Sequence, residues 1–226
     1  MFEGLLDYLK ENLPQKIIDG GYNNYEIFGK EAETPISDTI EEYLTSEGIS
    51  YTSHRAQTKN EFPDLEVEIA GTRFALEHKA GVCNIKGEMK SSAANDMGTI
   101  NAYPEKIETY GDEIYCTFVK YSVLQDDTIQ IEDIYFDKIY TFIGKGTGFN
   151  SQLQYREKDG NLRPKKWSDM DENITYFPTL TSFESALKKT KQYRSERIVT
   201  KHLENLDKIS LRNVRTHIDN MLGEDE

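Results

Sequence analysis

The chain has no apolar run of membrane-spanning length. Its N-terminus, Met1-Phe-Glu-Gly-Leu-Leu-Asp, lacks the basic-then-apolar pattern of a secretory signal. These absences argue against a bilayer span and against export. Cysteine is scarce: Cys83 and Cys116 are the only two and show no metal-ligand spacing. A disulfide framework and a cysteine-based zinc module are therefore excluded, and a reduced cytoplasmic compartment is expected. Histidine is sparse too, with four in all, and His54, His202 and His217 form no ligand spacing. Positive charge is in deficit, with 27 Lys and Arg against 40 Asp and Glu and a net charge of −13. Taken globally, that balance argues against a polyanionic partner, so charge has to be read segment by segment. There is no internal repeat and no low-complexity stretch. The apolar fraction of 37% is low, but 10 Phe, 14 Tyr and one Trp supply core volume. At 226 residues the chain suffices for one well-buried domain with a helical appendage.

Leu5, Leu6, Leu9, Leu13, Ile17 and Ile18 have helical spacing over 3–19, with Pro14 as a kink or break and Gly20-Gly21 as the stop. Residues 20–34 read as a polar loop. A helix over 36–47 is signalled by Thr34 as cap, Pro35 in the first turn and Gly48 at the end. Its buried stripe is Ile36, Ile40, Tyr43 and Leu44, and Glu41 lies at the stripe's edge. A strand is expected over 49–56, then a hairpin turning at Ala70-Gly71. Residues 81–92 look irregular, and a helix is expected from about Ala94 to Tyr110, started or bent at Pro104. A strong central strand over 113–124 turns at Asp126-Asp127 into another around 128–143. The segment from Gly144 to Trp167 is a long Gly- and Lys-rich loop. Its Gly144-Lys-Gly-Thr-Gly lacks the full phosphate-loop pattern and reads as a flexible turn. From Ser182 the pattern is helical, ending in a solvated Gly-Glu-Asp-Glu tail. This order predicts a mixed β-sheet flanked by helices, an α/β or α+β fold with a helical C-terminal region.

Local charge differs from the global balance. Residues 1–47 hold 11 acidic and three basic residues, and 112–137 hold seven and one. By contrast 145–166 hold six basic and two acidic residues, and 186–215 nine and three. Basic charge thus concentrates in the C-terminal third, as a phosphate-binding face on an acidic body would require.

The densest chemistry lies in 61–80. Asp64 opens the first hairpin strand, twelve residues separate it from Glu77, and one residue separates Glu77 from Lys79. With period two, Arg73, Ala75, Glu77 and Lys79 share one face, and Phe74, Leu76 and His78 the other. His78 is therefore expected to be structural. Pairing of the strands brings Asp64 beside Glu77 and Lys79. Singly, Asp64 reads as turn chemistry after Pro63 and the other two as an exposed ion pair. Jointly, two converging carboxylates suit Mg²⁺, with the main-chain carbonyl of His78 as a third oxygen. Lys79 can orient or deprotonate an attacking water, or neutralise charge developing at phosphorus.

Pro63-Asp64 followed by Glu77-His78-Lys79 resembles the PD-(D/E)xK nuclease superfamily, and its setting resembles a type II restriction endonuclease. The resemblance covers roughly 34–143, the catalytic core, with 144–226 as a basic loop and helices within a single endonuclease domain. It implies a restriction-endonuclease-like core, sequence-specific hydrolysis of double-stranded DNA with Mg²⁺, and a homodimer matched to a two-fold-symmetric site. Glu41, on the helix before the motif, becomes a possible outer partner of Asp64, Glu77 and Lys79. Asn95-Asp96-Met97-Gly98-Thr99-Ile100-Asn101 resembles a segment placed at the DNA in some of these enzymes. DNA contacts are expected from Lys86, Asn95, Asn101, Arg163, Lys165 and Lys166, since Arg or Lys suits guanine and Asn or Gln suits adenine. The alternatives are a repair or junction-resolving nuclease on the same core, and a non-catalytic nucleic-acid-binding module.

Overall fold

The computed structural model describes residues 2–22, 24–58, 61–147 and 152–222, without the side chains of 215 and 217–222. Gly148, the ring of His217 and the acidic tail lie outside the described residues. The chain opens with α1 (Leu5–Asp19), which continues through Pro14 and buries Leu5, Leu9, Leu13 and Ile17. The expected loop over 20–34 is partly helical: α2 (Phe28–Glu31) is followed by α3 (Glu33–Ser46). Phe28 organises this stretch, because it is fully buried with its ring edge-on to Tyr121 at 4.6 Å. Helix α3 starts earlier than the expected residue 36. Pro35 still falls in its first turn, where a missing N–H costs nothing.

Strands β1 (Thr52–Arg55), β2 (Leu65–Ile69) and β3 (Thr72–Ile85) form an antiparallel meander. The turn between β2 and β3 places Ala70 and Gly71 at φ 49° and 81°, the double left-handed conformation of a tight hairpin. The short β4 (Glu88–Met89) folds back on the end of β3. Helix α4 (Tyr103–Tyr110) then carries the chain to β5 (Ile114–Val123), which runs parallel to β3. Strand β6 (Ile129–Lys138) pairs antiparallel with β5 and ends in a 3-10 turn over Ile139–Phe142. The sheet has six strands in the order β1-β2-β3-β5-β6, with β4 on β3.

Two cores lie on opposite faces of this sheet. One packs Phe74, Leu76, Val119 and Tyr121 against α1, α2 and α3. The other packs Ala75, Cys116 and Phe118 under Tyr103, Phe142, Trp167 and Phe183. Such a mixed sheet covered by helices on both sides is the fold class expected from the sequence.

Three expectations change in detail. Strand β3 continues to Ile85 where an irregular segment was expected, with a register shift against β5 between Val82 and Asn84, because Gly81 is a packing site and not a breaker. A Cβ there would sit 2.5 Å from that of Ala93 and 2.9 Å from the Trp167 ring. Second, the helix expected over 94–110 begins only at Tyr103. Met97 and Ile100 are buried, but their N–H groups donate to Leu162 and Gly160 at 2.9 and 3.0 Å, tying 97–100 to a neighbouring segment. Third, that neighbour, the long loop, is an ordered arm wherever it is described. Isolated bridges join Lys145 to Leu153, Tyr155 to Leu162 and Ile143 to Pro164, and Thr190 Oγ1 accepts from the N–H groups of Gln152 and Leu153. The short α5 (Trp167–Asp171) and the 43-residue α6 (Leu180–Leu222) complete the chain. No described helix is long and apolar enough to cross a membrane.

Candidate active site

The register of β2 on β3 pairs Leu65 with Leu76, so one step further along the ladder Asp64 stands opposite Glu77. Strand alternation brings Lys79 onto the face of Glu77. The Lys79 ammonium donates to Glu77 Oε1 at 2.6 Å and to the His78 carbonyl at 3.0 Å, and lies 3.9 Å from Asp64 Oδ2. Asp64 Oδ2 accepts from the His78 N–H at 2.6 Å. The three side chains are only 14–18% exposed, covered but still reachable.

Burial and the facing charge of Glu77 push the Asp64 carboxyl up to about 7, against the opposing pull of Lys79 and the His78 N–H. Glu77 resolves the other way: burial raises it, but Lys79 and then Lys106 more than offset this, so it stays ionised. The Lys79 ammonium is destabilised by burial, yet Glu77 and Asp64 together hold its pKa above the ordinary lysine value. The Cys116 thiol under the site is pushed up by burial and is inert.

His78 points to the opposite face, as strand alternation predicts. Its Nε2 meets Ser37 Oγ of α3 at 3.1 Å, and burial pushes the ring down to about 3, so it is neutral. Its side chain anchors the sheet to α3, while its main chain serves the site.

An acid from α3 does approach the centre, but it is Glu33. Burial raises the Glu33 carboxyl, Lys79 lowers it and Glu77 raises it, and Glu33 in turn raises Asp64. Glu41 lies elsewhere. It pairs with Arg55 and accepts from Ser53 Oγ at 2.5 Å, an edge contact between α3 and β1. Glu33 escaped the sequence reading because it fell inside the expected loop. The usable signal was Pro35, which suits a helix already begun at Glu33.

The residues expected to contact DNA are scattered. Lys165 is 4% exposed, and its ammonium donates to the Ile174 carbonyl at 2.7 Å, so it braces the arm and offers nothing to a surface ligand. Asn95 donates to the Ala80 carbonyl at 2.7 Å, and Arg163 binds Asp96 at 2.6 Å. Arg156 also engages Asp96, at 2.8 Å, so the arm's positive charge is partly neutralised within the fold. Lys86 pairs with Asp127 at 2.7 Å at the far end of β3, about 30 Å from Glu77 by strand rise. Asn101 and Lys166 are exposed, beside α4 and α5 respectively.

Two observations bear on whether a metal suits this centre. Glu77 Oε2 is buried and has no hydrogen-bond partner, an orphan acceptor that a cation would satisfy. The donor set is two carboxylates and a carbonyl, all hard oxygens. Among the described residues no group of three or more His, Cys, Asp and Glu forms a ready-made cage. Hard oxygens of this kind fit a divalent cation such as Mg²⁺, which takes one or two carboxylates and keeps several waters. Asp64, Glu77 and the His78 carbonyl would hold it.

The chain is similar in structure to the NlaIV restriction endonuclease, with a TM-score of 0.52 and 15% identity over 81% of this chain and 80% of that one. At that identity the likeness speaks for the fold. No curated protein sequence matches the chain. A family model described as NgoBV restriction endonuclease matches residues 32–222, running past the expected core through the arm and along α6. Because that match spans far more than half of the sequence, the chain belongs to the NgoBV restriction endonuclease family.

Proposed function

We propose that this restriction endonuclease cuts double-stranded DNA at a specific sequence by Mg²⁺-dependent hydrolysis, with Asp64, Glu77 and Lys79 as its catalytic residues. The observation that carries this reading is the Glu77 carboxylate. One oxygen is bound by Lys79 and the other is buried without a partner, across the ladder from a second carboxylate whose ionisation is suppressed. A divalent cation is the ligand that relieves both conditions. Bound Mg²⁺ would supply Lewis-acid polarisation of the phosphate and a more acidic water. Lys79, fixed by Glu77 and the His78 carbonyl, keeps its proton. Its part is to orient the attacking water and steady Glu77. Glu33 supplies a third negative charge at the rim.

The chain is proposed to work as a homodimer in the cytoplasm, where Cys83 and Cys116 stay reduced. At 100° per residue, Ile198, Val199, Leu203, Leu206, Ile209 and Val214 of α6 fall on one face, all exposed. Arg194, Arg197, Lys201, Lys208 and Arg212 fall on the opposite face. The apolar stripe fits a second copy and the basic stripe fits DNA phosphates. Asn101 and Lys166 are the candidates for contacts near the cut.

Plasmid digestion with Mg²⁺ tests the reading. Wild type should give discrete fragments, and Lys79→Ala should give none while still binding DNA in a mobility-shift assay. Normal cutting by Lys79→Ala would overturn the assignment. Nicking confined to branched or mismatched DNA would favour a repair nuclease instead.

A further inference from the structure

The site contains a second lysine that the motif does not include. Lys106 sits on α4, and its ammonium lies 3.4 Å from the centroid of the Phe62 ring and 5.4 Å from that of Tyr103. Phe62 is two residues before Asp64 and packs edge-on to Tyr110 at 6.0 Å, and Tyr103 is buried with its hydroxyl donating to the Met97 carbonyl at 2.6 Å. Burial pushes the Lys106 ammonium down, Glu77 opposes this, Lys79 adds to it and Asp64 opposes it, so Lys106 lies within electrostatic reach of the carboxylate pair. Among the described residues no carboxylate lies within ion-pair distance of its ammonium and no acceptor takes its N–H groups. Aromatic faces stabilise a cation without using up its donors. The two lysines therefore differ in kind. Lys79 is bound to a carboxylate and a carbonyl, whereas Lys106 is held in place with its donors open.

The segment 95–101 explains how that opening is kept. Gly98 stands at φ +90°, and a Cβ there would lie 3.3 Å from the Lys106 ammonium. Any larger residue would be strained and would crowd the cation. A cation steadied on rings beside two carboxylates, with donors unspent, is suited to an arriving anion. The anion that a nuclease centre receives is a phosphate diester, for which lysine serves as a point-charge binder.

We propose that Lys106 binds the scissile phosphate and stabilises the charge that develops on its non-bridging oxygens, making it a catalytic residue outside the Asp-Glu-Lys motif. This rests on the reading of Asp64, Glu77 and Lys79 as the nuclease centre. The bland alternative is a long side chain that covers apolar surface and contributes packing only.

The test uses a duplex carrying the enzyme's site, in which one scissile phosphate is replaced by a neutral methylphosphonate, with binding measured in EDTA. Wild type should prefer the charged duplex by about ten-fold, as expected for a charge-assisted contact. Lys106→Met should shrink that preference to about two-fold or less, and Lys106→Arg should restore most of it. Single-turnover cleavage of the ordinary duplex with Mg²⁺ should fall roughly a hundred-fold in Lys106→Met, the scale seen when one stabilising donor is lost. Lys106→Gln serves as the second variant if the methionine variant melts early. If either neutral variant keeps the wild-type preference for the charged duplex, the proposal is wrong. That outcome, together with an inactive Asp64→Asn, would remove Lys106 alone. An active Asp64→Asn would remove the underlying reading of the site.

Discussion

Asp64 is the residue on which the electrostatics of the centre turn. Its carboxyl is pushed up to about 7 by burial and by Glu77, so it holds its proton far more readily than an ordinary carboxylate. A folded pKa above the unfolded value means that the native state binds more protons between pH 4 and 7. Asp64 therefore lowers stability as pH rises through that window. A cation bound by the ionised pair reverses the sign. Mg²⁺ should raise the melting temperature clearly at pH 8 and hardly at pH 5.5, and an equal rise at both would contradict the assignment. Glu33 contributes to the same equilibrium, because its charge raises Asp64. Glu33→Gln should move the pH midpoint of Mg²⁺ stabilisation downward. Glu41→Gln should leave it in place and cost roughly 0.5–1 kcal/mol through its contact with Arg55. Asp64, Glu77 and Lys79 could be brought together from sequence because strand alternation and a tight turn fix their faces. Glu33 could not, since its approach depends on α3 beginning at Glu33, inside a stretch whose polar sequence reads as loop.

Among the elements, β3 does most to build the centre. It carries Glu77 and Lys79 on one face and His78 on the other, and it is the strand where the antiparallel meander meets the parallel pair with β5. The hairpin and the strong β5 were legible, since period-two patterning and turn chemistry are local properties. The length of β3 was not. Gly81 looks like a breaker in sequence, yet it is where Trp167 of α5 lies on the strand, its Nε1 donating to the Val82 carbonyl at 3.3 Å. Gly81→Ala should therefore destabilise the fold by about 1–3 kcal/mol through overpacking, measured by chemical denaturation. A neutral result would mean that Trp167 can shift without cost. The shortened helix before α4 has a similar cause. Met97 and Ile100 show helical spacing, but their backbone groups are taken by the arm, a contact between segments some 60 residues apart.

For the whole molecule, the question is how an acidic chain meets DNA. Basic charge concentrates in the C-terminal third, and α6 carries an apolar stripe and a basic one on opposite faces. A double substitution, Leu203→Glu with Leu206→Glu, should convert a dimer to a monomer by light scattering and depress cleavage while leaving the melting temperature of the body unchanged. A dimer that persists in this variant would put the interface elsewhere. On the opposite stripe, Lys201→Ala with Lys208→Ala should reduce the slope of log affinity against log salt by about one per lysine in phosphate contact. An unchanged slope would show that this face stays clear of the backbone. The arm contributes less than its composition promised, because Arg156 and Arg163 are engaged with Asp96 and Lys165 is buried.

The central claim is that Asp64 and Glu77 together hold a divalent cation, and calorimetric titration of Mg²⁺ into the protein at pH 8 tests it most directly. Wild type should bind one or two ions, and Asp64→Asn and Glu77→Gln should each remove measurable binding while the fold persists by circular dichroism. Mg²⁺ binding of wild-type strength in both variants would contradict the claim and move the metal, and with it the chemistry, away from this hairpin.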